Sequence, residues 1–87
     1  MLTEEKIISL SEKIDKNTIL HKYLCPISHD IMSDPVLISS GHVYNRTHIE
    51  EWLEKQDIDP ETREEVDKIT FPVHYLKREI LEYLENI

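Results

Sequence analysis

The 87-residue chain has one cysteine, 39% hydrophobic residues and a formal net charge of −8, which together describe a single small domain. A lone cysteine excludes an intrachain disulfide framework and fits a reducing setting, so the expected location is cytoplasmic or otherwise intracellular. The acidic balance argues against nucleic acid as a partner, because binding phosphates needs a basic face, and no apolar run is long enough to span a membrane.

In chain order, residues 3–15 set Ile7, Leu10 and Ile14 at helical spacing and predict a short amphipathic helix flanking the domain. Residues 15–18 are a polar linker, so residues 1–18 are expected to precede a domain at 19–87. Residues 19–72 hold every proline and the only glycine, and show no internal repeat. Within them, "PVLISSGHVYN" predicts two short strands around a Ser-Ser-Gly turn, with Gly41 free to take a positive φ. "NRTHIEEWLEK" predicts a helix capped by Asn45 or Thr47, and Thr47-x-x-Glu50 has the form of a capping box. Pro60 stops that helix from running on, so "DIDPETREEVDKITFP" is expected to be a loop with little regular structure. A closing helix follows, with Val73, Leu76, Ile80, Leu84 and Ile87 on one stripe. The expected class is α+β.

The spacing of the polar residues carries the chemistry. Cys25 and Ser28 keep the step of a metal-binding C-x-x-C with its second cysteine replaced. Ser40, His42, Asn45 and His48 repeat the middle of a cross-braced RING finger, Cys-x-His-x-x-Cys-x-x-Cys, and Asp59 and Thr62 keep the step of its last C-x-x-C. In cross-braced order one set is Cys25, Ser28, Asn45 and His48, and the other is Ser40, His42, Asp59 and Thr62. Structural zinc needs four thiolate or imidazole ligands in a closed tetrahedron, and neither set supplies them. Hydrogen bonds are therefore expected to replace the metal, with no metal and no cofactor.

These features resemble the U-box, the zinc-free relative of the RING finger found in ubiquitin ligases. The resemblance spans roughly residues 22–85 and rests on "YLCPIS", "SDPVLISSGHVYNR", "IEEWL", "DPETR" and "LKREILEYL" in the right order and at the right intervals. It implies a β-hairpin, a central helix, two loops braced by polar networks and a C-terminal helix packed behind. It also implies an activity: docking a ubiquitin-conjugating enzyme charged with ubiquitin and promoting transfer to a substrate lysine. The reactive thioester cysteine belongs to that enzyme, so no covalent intermediate is expected on this chain.

Position by position, the resemblance implies a docking groove with Ile27 and Pro60 as apolar loop contacts and Trp52 of the central helix beside them. His29 stands where the family often has a larger apolar group. Arg63 follows the last ligand-like position, where many such ligases carry a basic residue bridging to ubiquitin. Glu50, Glu51, Glu54 and Glu61 would form an acidic rim. The plainer readings make Cys25 a small buried group, Trp52 core, Arg63 a solvated cation and the glutamates a solvated face. The alternative function is a module that binds the conjugating enzyme, or forms a homodimer, without ligase activity. The sequence names no protein substrate.

Overall fold

The structure, a computed structural model, describes residues 2–87, so Met1 of the N-terminal segment lies outside it. The fold is α+β. Its elements are α1 (Leu2–Ser11), β1 (Pro35–Leu37), β2 (Val43–Asn45), α2 (Arg46–Leu53), β3 (Phe71–Pro72) and α3 (His74–Glu85). Single 3-10 turns at Lys16–Thr18 and His21–Tyr23 join α1 to the rest.

The helix expected over 3–15 ends at Ser11. Lys13 and Ile14 donate to the carbonyls of Leu10 and Ser11, three residues back, which tightens the last turn and stops the helix. Asp15 then accepts the Asn17 N–H at 3.0 Å and opens the next turn. Ile7 is fully buried in the common core, and Lys6 pairs with Glu85 of α3 at 2.8 Å.

β1 and β2 pair antiparallel as a hairpin, with Val36 opposite Tyr44. At its tip Gly41 has φ 92° and donates to the Ile38 carbonyl at 2.9 Å, in the left-handed region that a Cβ disfavours. The segment expected to have little regular structure contributes β3, which extends the sheet to the order β2-β1-β3. β3 holds two residues, both exposed, so it has no apolar alternation to reveal it, and Pro72, with no N–H to donate, suits an edge.

Asn45 is the N-cap residue of α2, with extended φ and ψ of −72° and 136°. Thr47 lies inside the first turn, so the capping box does not form. Behind the sheet, α3 buries Ile80 and Leu84, while Leu76 packs at the core margin and Ile87, 62% exposed, falls past the helix end. Tyr83 joins α3 to the segment before the hairpin, its ring 4.7 Å from that of Tyr23 and its hydroxyl accepting the Leu20 N–H. Among the described residues no helix is long and apolar enough to cross a membrane.

Candidate functional site

Two loops flank the hairpin and α2, and they share one backbone conformation. In the first, Leu24 and Ile31 form a β-bridge, Cys25 N–H donates to the Asp30 carbonyl at 2.8 Å, and His29 N–H donates to the Cys25 carbonyl at 2.7 Å. The Ser28 hydroxyl accepts the Asp30 N–H, and His29 takes φ 61°. The second loop repeats each feature. Ile58 bridges Glu65, Asp59 N–H donates to Glu64 at 2.8 Å, and Arg63 N–H donates to Asp59 at 2.9 Å. The Thr62 hydroxyl accepts the Glu64 N–H, and Arg63 takes φ 67°. Pro26 and Pro60 occupy equivalent places. A chain that reads as free of repeats thus contains a structural one, because the shared bonds run mostly through the backbone.

The set Ser40, His42, Asp59 and Thr62 converges on one carboxylate. Asp59 is fully buried, and its Oδ2 accepts the Ser40 hydroxyl at 2.6 Å and His42 Nδ1–H at 2.8 Å. Its Oδ1 accepts the Tyr44 hydroxyl at 2.6 Å and the backbone N–H groups of Glu61 and Thr62 at 2.7 and 3.2 Å. Thr62 therefore joins through its backbone. Tyr44 was missed by sequence reasoning, which weighed only ligand-like positions. Part of the signal was there, because His42 and Tyr44 lie two apart where the chain enters β2 and so face one side, while Ser40 reaches the same carboxylate from the turn.

The set Cys25, Ser28, Asn45 and His48 is looser. Asn45 N–H points at the Cys25 sulfur at 3.4 Å, and Asn45 Oδ1 accepts the Asp34 N–H at 2.8 Å. The Ser28 hydroxyl turns into its own loop, and His48 Nδ1 is buried with no hydrogen-bond partner among the described residues. Asp34 does more than start a turn: its carboxylate pairs with Arg46 at 2.7 Å and with Lys77 of α3 at 3.4 Å. Among the described residues no group of three or more His, Cys, Asp or Glu is arranged to hold a metal ion.

Burial alone would push the Asp59 carboxyl up. The hydrogen bonds from Ser40, Tyr44 and His42 outweigh it and hold the group well below the usual carboxylate range. The bond to Asp59 raises the His42 pKa above 6.5, with the charges of Glu61 and Glu64 adding to it. Burial, then the bond to Asp59, raises Tyr44 far above an ordinary phenol.

The signs set a pH window. The raised His42 contributes stability that is complete below 6.5 and lost as pH rises through its higher folded value. The lowered Asp59 contributes stability that is complete above 3.8 and lost as pH falls through its lower folded value. Urea midpoints should therefore be highest between about pH 4 and pH 6.5 and decline on both sides. His42→Asn should remove most of the decline above neutrality. A wild-type midpoint that keeps rising past about pH 8 would show that the His42–Asp59 bond does not govern this range.

A shallow groove of about 230 Å³ lies between the first loop and α2, lined by Ile27, His48, Glu51, Trp52 and Lys55. Ile27 is 36% exposed on its loop. Trp52 is half-buried against the core, and its indole N–H donates to the Ile58 carbonyl at 2.7 Å, tying α2 to the second loop. Pro60 is half-buried and Arg63 exposed on that second loop, outside the groove. His29 lines a separate cavity with Pro26, His42 and Glu61. The groove thus collects Ile27 and Trp52, and the other three expected contacts, His29, Pro60 and Arg63, lie outside its lining.

A family model described as "U-box domain" matches residues 19–86. This chain belongs to the U-box family. It is similar to U-box domain-containing protein 11 of Arabidopsis thaliana, 33% identical over 72 residues, which are 82% of this chain and 12% of that protein. U-box domain-containing protein 26 of the same plant is 43% identical over 67 residues, 75% of this chain and 16% of the relative. A probable bifunctional E2/E3 enzyme of Acanthamoeba polyphaga mimivirus is 37% identical over 67 residues, 77% of this chain and 5% of that protein. The chain therefore spans only a small part of the length of these relatives. In U-box terms, the buried Asp59 mesh stands at one ligand set of the RING pattern, and the Cys25–Asn45 contact at the other.

Proposed function

We propose that this U-box is a ubiquitin ligase module that docks a ubiquitin-charged conjugating enzyme and promotes transfer of the ubiquitin to a substrate lysine. In that transfer the lysine amine attacks the thioester carbonyl, and the thiolate leaves on the conjugating enzyme. The U-box contributes no bond. It restricts the charged enzyme to reactive arrangements and so lowers the entropic part of the barrier. The full burial of Cys25 supports a scaffold without a covalent intermediate. We take residues 19–87 as the docking domain and an intracellular reducing compartment as its setting.

The observation that carries this reading is Ile27. An apolar side chain partly exposed on a hydrogen-bonded loop, beside Trp52 in a shallow groove, suits a small binding hot spot. Pro60 and His29 add contacts at its margins, and Glu50, Glu51, Glu54 and Glu61 steer a basic partner surface. Ile27→Ala should weaken binding of a conjugating enzyme about five- to thirtyfold, read by isothermal titration, with little change in the melting temperature. Ile80→Ala, which empties a fully buried site, should instead cost about 2–5 kcal/mol of stability. If Ile27→Ala melts the domain or leaves binding intact, the groove is not the docking site.

A further inference from the structure

The groove does not end at His48. The same imidazole lines a neighbouring cavity of about 360 Å³, bounded by Ile8 of α1, by Glu12 just past its end, and by Ile19, Asp30 and Ile31. Its floor is apolar, with Ile19 and Ile31 buried, and Ile8 stands 47% exposed at its edge. Ser11, Glu12, Asp30 and Asn45 are the other lining residues, and among the described residues His48 Nδ1 is buried without a hydrogen-bond partner. Ile8 and Glu12 precede the residues matched to the family, so this cavity is partly built from sequence outside the U-box pattern.

We propose that the cavity extends the conjugating-enzyme docking face and takes a lysine or arginine side chain of that enzyme. The inference rests on the docking reading given above. A long basic side chain has an aliphatic stem for Ile8, Ile19 and Ile31 and a cationic head for the exposed Glu12 carboxylate, and such side chains bury their stems while keeping the charge near water. His48 lines both depressions, so they adjoin, and a partner surface seated on Ile27 and Trp52 would cover the cavity mouth if it reached past His48. The wall is preformed: Ile7 anchors α1 in the core, and Lys6–Glu85 and Lys77–Glu4 pair it to α3. Little ordering is then lost on binding. The N-terminal helix acts as a selector among conjugating enzymes, favouring those with a basic residue at the matching place.

The test uses the full chain and a panel of purified, uncharged conjugating enzymes, titrated calorimetrically to find one that binds. Against that enzyme, Glu12→Lys should weaken binding about three- to tenfold, Glu12→Gln less, and the difference should shrink at high salt. Ile8→Ser should weaken it about fivefold. Glu12 is exposed, so its variants keep the question answerable even where Ile8→Ser disturbs folding. Ile27→Ala weakening binding while the Glu12 and Ile8 variants bind like wild type would overturn the extension and leave the docking groove standing. All variants binding like wild type would overturn the groove, and the extension with it.

Discussion

Asp59→Ala is expected to remove a large part of the chain's stability. The substitution removes the shared acceptor of the Ser40 hydroxyl, His42 Nδ1–H, the Tyr44 hydroxyl and the N–H groups of Glu61 and Thr62. The Tyr44 hydroxyl, on a fully buried residue, costs about 1–3 kcal/mol when left without a partner, and the half-buried Ser40 and the two loop N–H groups add smaller amounts, while the pair with His42, whose side chain is 43% exposed, is weakened by solvent and adds less than a buried pair would. A domain of this size has a total stability of the order of 5–10 kcal/mol. The loss is a large part of the whole. Asp59→Asn should be milder, because an amide oxygen can still serve Tyr44 and the loop N–H groups while the NH₂ faces Ser40 and His42. Losing the charge should cost about 2–3 kcal/mol. Circular dichroism with guanidinium unfolding reads both. An alanine variant as stable as wild type would mean that the second loop is held by something other than this carboxylate.

The other large effect is expected at Arg63 and on rate rather than stability. Arg63 is exposed at the end of the second loop, and its guanidinium carries five donors in a planar fork. We propose that it spans from the conjugating enzyme to ubiquitin and favours the closed, reactive arrangement over open ones. Arg63→Ala should then leave binding of the uncharged enzyme nearly unchanged and slow discharge of its ubiquitin about ten- to hundredfold. Arg63→Lys should recover part of the rate, since it keeps the charge and loses the fork. Arg63→Gly separates side chain from backbone. At φ 67° a residue with a Cβ is strained by about 1 kcal/mol, so the glycine variant should fold at least comparably well and still discharge slowly. Equal loss of binding and discharge in Arg63→Ala would make the residue an ordinary docking contact.

What the sequence made legible follows from how each feature is encoded. The hairpin, α2 and α3 come from apolar periodicity and turn chemistry, which are local. The third strand is encoded in pairing with β1, and its two exposed residues carry no pattern. The limit of α1 was set by competition between the helix and the Asp15 turn, which periodicity does not weigh. At the site, ligand spacing marked Ser40, His42, Asp59 and Thr62 because the RING pattern fixes which positions meet. It missed Tyr44, which has no counterpart among metal ligands yet gives Asp59 one of its shortest bonds. Spacing also could not show that Ser28 satisfies its own loop or that His48 Nδ1 has no partner among the described residues, since both depend on where a side chain turns. The shared conformation of the two loops is nearly invisible for the same reason: Pro26 and Pro60 match, and Ser28 and Thr62 are similar, but most of the likeness is in backbone hydrogen bonds.

Scaffolded transfer is tested most directly by single-turnover discharge. Conjugating enzymes preloaded with ubiquitin are mixed with free lysine, with and without the full chain, and loss of the thioester is followed on non-reducing gels. A U-box ligase module should speed discharge from at least one enzyme that it binds, with Ile27→Ala and Arg63→Ala each removing most of the acceleration. Tight binding with no acceleration for any enzyme of the panel would contradict ligase activity and leave a docking module in its place.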